Sequence, residues 1–263
     1  MANSNYLTNA INLKSYNLSE SDKIVLMYSR EYGLLKGIAK GSKKPKNKLG
    51  GRMDTLVANK LMLYKGKNLD TICQAEALNT FTNIRTDMDK MLYAMYISEI
   101  VTNYSSEEDP NSSEIYDIFY KALSKISKSK SNIEILLCTM RFQLKIMQIC
   151  GYELQLKYCL LCGCEINEKS GCILSTEKGG TSCISCAQGT KGIKFPNKLR
   201  EFLCALATSD FDETTYYDEK ANIEVSTYCF SLLKDYVETH CTKQFKTTKL
   251  LTCPSPKELL KTR

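Results

Sequence analysis

A single histidine, His240, serves all 263 residues. Ser-His-Asp catalysis, a Cys-His pair or a histidine-rich metal site would each have to be built on it, yet it sits at the polar end of the last helical pattern, where imidazole ordinarily caps a helix. No G-x-x-x-x-G-K-[ST] run occurs despite several GK dipeptides, and no H-x-E precedes a C-x2-C pair. These absences exclude a phosphate loop for ATP and a zinc deaminase centre. No stretch of 18 apolar residues is present, and the opening MANSNYLTNAINLKSYNL lacks a basic start, an apolar run and a small-residue cleavage site. The reading is a soluble, non-secreted, cytoplasmic protein with no membrane partner.

What is present is 43% apolar residues, ample for a core, and a net charge of +7. The charge is segregated. Residues 1–80 carry thirteen Lys+Arg against six Asp+Glu, and the remainder carries 23 of each. Its densest part is KGIAKGSKKPKNKLGGR at 36–52, with seven cations, four glycines, one proline and no carboxylate. Positive charge confined to one module is the footprint of polyanion binding, and a solvated basic face is the competing reading.

Residues 1–80 read as five strands. YLTNAINLKSYNL, DKIVLMYSREYG, LLKGIAKG, TLVANKLMLYKG and NLDTICQAEAL are rich in β-branched, aromatic and leucine residues, with breaks at Ser19–Glu20, Gly33, the basic stretch and Gly66–Lys67–Asn68. Five short strands that must hide their edges suggest a closed barrel, with the five-stranded oligonucleotide-binding (OB) type the leading candidate. From Ile84 to Tyr104 the spacing of Met88, Met91, Leu92, Met95, Tyr96, Ile100 and Val101 predicts one helix with one buried face, its methionine stripe in the core. A second helix begins at a Ser112 or Ser113 cap. A third, from Asn132 to Cys150, is apolar nearly all round and is placed at the centre of a bundle. Further helices start at Pro196 and over IEVSTYCFSLLKDYVETHC. The expected fold class is α+β: an OB-fold domain at 1–80, an α-helical domain at 81–250 carrying a four-cysteine loop at 156–190, and a frayed tail at 251–263.

Thirteen cysteines occur, of which Cys138, Cys150, Cys204 and Cys229 sit singly within apolar helical patterns where Cys acts as a small hydrophobe. The exception is CLLCGCEINEKSGCILSTEKGGTSCISC. Cys159 and Cys162 form one C-x2-C pair and Cys183 and Cys186 another, twenty residues apart. Two such knuckles suit one tetrahedral, structural Zn²⁺ per chain, with four protein ligands and no open position. A redox C-x2-C needs a single pair beside a βαβ unit, which is missing, whereas an iron–sulfur cluster would use the same four thiolates and spacing alone does not separate it. Cys164 and Cys172 lie inside the loop without a partner at knuckle spacing and read as bystanders.

The order of parts resembles the bacterial recombination mediator family RecO. The likeness is carried by AINLKSYNLSESDKIVLMYSREYGLLKGIAKGSKK, LMLYKGKNLDTICQAEALNTFTNIRTD, CLLCG with GGTSCISC, and LLKDYVETHCTKQFKTTKLL. It implies a DNA repair and recombination protein, not an enzyme and without a nucleotide cofactor, found with the nucleoid. Such a protein binds single- and double-stranded DNA, anneals complementary strands, contacts SSB and RecR, and through them helps RecA onto SSB-coated DNA. The residues assigned to the DNA grip are Lys36, Lys40, Lys43, Lys44, Lys46, Lys48 and Arg52. Tyr28, Tyr32 and Tyr64 are candidates to stack bases, with core packing the competing reading. A zinc-ribbon adaptor binding only proteins is the alternative function.

Overall fold

A computed structural model describes residues 5–166, 171–189, 191–214 and 222–251. The chain divides into two compact units, 1–127 and 128–263. The first is built on five strands, β1 (Asn5–Asn17), β2 (Lys23–Ser29), β3 (Gly33–Ala39), β4 (Ala58–Tyr64) and β5 (Asp70–Asn79), closed as a barrel in the order β1-β2-β3-β5-β4. All neighbours are antiparallel except β3 and β5, which pair in parallel through only Gly37 with Asp70 and Ile38 with Thr71. This is the OB barrel. Strand β1 is long enough to pair with β4 along its first half and β2 along its second, and a bulge between Asn12 and Lys14 lets it turn the corner.

Alternation does the sorting. Ala10, Val25, Met27, Ala39, Leu61, Leu63 and Ile72 fill the interior, and Leu49 and Met53, from the basic stretch and the short 3-10 turn after it, join the same core. Gly37 makes the seam possible, because a Cβ there would stand 2.9 Å from an Ile72 side-chain carbon.

Three helices complete this unit: α1 (Thr82–Arg85), α2 (Met88–Tyr104) and α3 (Ser112–Lys128). The single helix expected from Ile84 is two, because the Asp87 carboxylate accepts from the N–H groups of Asp89 and Lys90 and so starts a fresh N-terminus. Its methionine stripe is also not core. Met88 is 82% exposed and Met95 is exposed, while burial is concentrated in the unbroken run Tyr96–Val101. The barrel is tied to these helices by a bidentate Arg30–Asp117 pair (3.0 and 2.9 Å) and by Leu34 N–H donating to the Ser106 carbonyl.

The second unit centres on α4 (Asn132–Ile149), capped by Ser131 and buried on twelve positions, against which α5 (Asn197–Thr208) and α6 (Ile223–Thr239) pack. Between α4 and α5 lie β6 (Cys172–Ser175), β7 (Gly180–Cys183) and β8 (Ile193–Phe195), a small sheet in the order β7-β6-β8. His240 caps α6 and places Nε2 2.9 Å from the Thr176 carbonyl. Beyond Leu251 the expected tail lies outside the described residues.

Candidate metal centre and nucleic-acid interface

The cysteine loop folds as two turns facing one point. In the first, Cys159 N–H donates to the Cys164 carbonyl and Gly163 N–H to the Cys159 carbonyl, with Gly163 at φ +71°, a conformation that favours glycine. In the second, the N–H groups of Cys186 and Ala187 both donate to the Cys183 carbonyl, just past the β6–β7 hairpin. Leu160 N–H to the Thr181 carbonyl brings the turns together. All four sulfurs of Cys159, Cys162, Cys183 and Cys186 consequently lie within 4.8 Å of one another. A tetrahedral ion with Zn–S bonds of about 2.3 Å sets its sulfurs about 3.8 Å apart, and the Cys162 and Cys183 sulfurs stand 3.9 Å apart. The donor set fits such an ion.

Electrostatics prepares the sulfurs unequally. Burial opposes ionisation of Cys159, but backbone N–H groups of Cys162, Cys183 and Leu161 outweigh it and lower its thiol. Hydrogen bonds from the Ser185 hydroxyl and the Cys186 N–H bring Cys183 down to about 6. Cys186 is pushed up to about 12, chiefly by its hydrogen bond with Cys183, and Cys164 likewise by its bond with Cys162. The buried pair is ready to ligate, and a bound cation supplies the field that deprotonates the rest. Cys172 is remote in role: fully buried on β6, its thiol faces the Phe195 carbonyl at 3.5 Å.

On the barrel, register puts unlike residues into rows. Lys14, Leu26 and Lys36 lie side by side across β1, β2 and β3, and the next outward row is Tyr16, Ile24, Ile38 and Thr71. Tyr16 is 52% exposed and Leu18, just past the end of β1, is exposed too. The opposite end of the same outer face is different. There Ile11 and Tyr28 are fully buried, α2 packs on β1, and the Tyr28 hydroxyl lies 3.5 Å from Asp109. Helices thus cover one half of the β1-β2-β3 face and leave the other open.

The basic stretch borders the open half. Gly41 N–H donates to Asp22 at 2.7 Å and Lys43 N–H to the Ser21 carbonyl at 3.0 Å, seating the stretch against the β1–β2 turn. Two fully buried asparagines hold its return: Asn12 donates to the carbonyls of Arg52 and Asp54, and Asn59 to that of Arg52. The stretch thus runs as a series of turns pinned to the barrel. Lys36, Lys40, Lys43, Lys44, Lys46 and Lys48 are exposed on it, whereas Arg52 is half-buried with its guanidinium on the Lys48 carbonyl.

Family comparison extends over both units. The model described as Recombination protein O N terminal matches residues 1–81, and Recombination protein O C terminal matches 85–249. A DNA repair protein RecO from Desulforamulus reducens is 32% identical over 94% of this chain and 93% of its own length. The chain belongs to the RecO family of DNA repair proteins. Another RecO, from Caldanaerobacter subterraneus subsp. tengcongensis, is 29% identical over 91% of this chain and 94% of its own, and that from Nostoc punctiforme is 38% identical over 46% and 40%. Among the described residues no helix is long and apolar enough to cross a membrane.

Within this RecO-family chain, composition alone misses three residues. Tyr28 is core, Tyr32 is 38% exposed and packs edge-on against Tyr6 at 5.0 Å, and Tyr64 is half-buried on β4, while Tyr16 is the exposed aromatic on the open half of the barrel face. Tyr16 and Lys14 emerge only when β1 is paired with β2. Cys164 looks isolated by knuckle spacing, but its sulfur lies 3.1 Å from that of Cys162.

Proposed function

We propose that this chain is a DNA-binding recombination mediator that grips single- and double-stranded DNA along the open half of the β1-β2-β3 face and the adjoining basic turns. The observation that carries the reading is the paired rows, a Lys14–Leu26–Lys36 row beside a Tyr16–Ile24–Ile38–Thr71 row, with Lys40 and Lys43 at their end. Lysines displace condensed counterions from phosphates, and an exposed tyrosine on an aliphatic floor offers any base a stacking partner. Such contacts are indifferent to sequence, as strand annealing requires. The same reading extends to exchange of SSB for RecA together with RecR, without turnover of a nucleotide, and to one structural zinc on Cys159, Cys162, Cys183 and Cys186 in place of an iron–sulfur cluster.

Changing Lys43, Lys44, Lys46 and Lys48 together to Ala tests the grip. Single-strand affinity should fall, and the log–log salt slope should shrink by roughly 0.7 for each phosphate that no longer meets a lysine. Unchanged affinity and slope in the folded variant would remove the DNA reading. The protein-only adaptor then stands, favoured by the exposed knuckle tips Leu160, Leu161 and Ile184. Metal analysis of the full chain checks the other half: one zinc per chain supports it, and iron with a visible chromophore overturns it.

A further inference from the structure

The cysteine loop brings together one more thiol than a tetrahedral ion can use. Cys164 stands 3.1 Å from the Cys162 sulfur and also hydrogen bonds with Cys183. Cys186 contacts the same two residues. Cys164 and Cys186 thus both face the Cys162–Cys183 edge of the site, with Cys186 alone joining the four sulfurs that lie within 4.8 Å of one another. Burial divides the five in a parallel way. Cys159 and Cys183 are buried, and the Cys159 sulfur accepts the N–H groups of Leu161 at 3.4 Å and Cys183 at 3.3 Å. Cys162 and Cys164 are exposed and Cys186 is half-buried.

We propose that Cys164 is a standby ligand, so that three outer thiols, Cys162, Cys164 and Cys186, share two coordination positions while Cys159 and Cys183 anchor the metal. The inference rests on the zinc reading above and adds to it which residue can replace which. Exchange needs little motion. The Cys164 backbone is already held, its carbonyl accepting the Cys159 N–H at 2.8 Å, and a cysteine sulfur moves between staggered wells by rotation about χ1 alone. A closed four-ligand site releases its metal when one ligand is alkylated or oxidised. A site with a spare thiolate on its wet side keeps four sulfurs through that loss, since soft thiolate is a far better zinc ligand than the water that would otherwise enter.

The test uses the full chain with C164A, C186A, the C164A/C186A pair and C159A, read by metal content and by the charge-transfer spectrum after cobalt replaces zinc. Wild type and C164A should hold one zinc, C186A should keep one zinc and a four-thiolate cobalt spectrum, and the double variant should lose thiolate intensity and metal to a chelator. C159A, which removes an anchor that no spare thiol replaces, should lose metal with Cys164 still in place. C186A matching the double variant would overturn the standby role while leaving the zinc reading intact; a wild type without zinc would overturn both. Alkylation followed by mass spectrometry serves as the second measurement, independent of any folding defect in the double variant. Cys164 should be the fast-reacting thiol of the zinc-loaded wild type and become protected in C186A, and a Cys164 that stays equally reactive in C186A would sink the proposal.

Discussion

Two stretches of this molecule, one between strands of the barrel and one between α4 and α5, are held by different means. The barrel's basic stretch, between Ala39 and Ala58, is held by burial: Leu49 and Met53 enter the barrel core and Asn12 and Asn59 grip its backbone. The cysteine loop between α4 and α5 also buries apolar side chains, Leu154, Leu156, Ile166, Leu174 and Phe195, and in addition turns four sulfurs toward one point. An apolar anchor leaves the charged side chains outside free for a ligand. A metal anchor commits the loop's most reactive groups to folding. The first arrangement suits a surface that must grip, and the second a shape that must persist.

The contrast can be broken from the metal side first. On the proposed zinc reading, removing the ion with a chelator should withdraw on the order of 10 kcal/mol from the cysteine loop, since a structural site of this kind is folding free energy. Hydrogen exchange should show amides across Cys159–Ala187 losing protection while β1 to β5 keep theirs. Barrel amides opening at the same chelator concentration would erase the distinction between the two anchors.

The reverse experiment is Met53→Ala, which empties a fully buried position of the barrel and should cost about 2–5 kcal/mol. Exchange at β4 and the basic stretch should rise, with the cysteine loop untouched. Next in size is Tyr16→Ala, expected to weaken single-strand binding by about 1–3 kcal/mol and to leave the salt slope as it was, because stacking releases no counterions. An unchanged affinity would return the grip to the lysines alone. The smallest effect belongs to Arg30→Ala. Its pair with Asp117 is bidentate, but the two side chains are 43% and 48% exposed, so solvent screens it and the loss should stay below about 1 kcal/mol, read as a shift in urea midpoint without a change in slope.

Much of this was legible from residue order. All five barrel strands follow from runs rich in β-branched, aromatic and leucine residues and from the turn residues between them, and C-x2-C spacing names the four sulfurs that converge. What escaped is what tertiary contact decides. The methionine stripe of α2 fits a single buried face by period, yet burial follows position along the helix, with Tyr96–Val101 enclosed on all sides and Met88 open. Leu49 looks incidental within a polar run because the core it joins is formed by strands from both sides of it. Tyr28 and Tyr16 are indistinguishable by composition; helices packing on one half of the barrel face make one core and leave the other bare. Cys164 is invisible to a search for C-x2-C because its partner is two residues away and meets it only through the turn at Gly163.

The parallel contact between β3 and β5 has only two residue pairs, so the barrel, otherwise closed by long antiparallel ladders, is fastened there by its shortest stitch. Both rows of the open face reach it: Lys36 precedes Gly37 at the seam, and Ile38 with Thr71 spans it. On the proposed reading, a strand of nucleic acid laid along those rows would act as a clasp on the closure. On that reading cargo and container are mutually stabilising: whatever tightens the grip on DNA also shifts the barrel's opening equilibrium toward the closed form, and in equal free-energy measure.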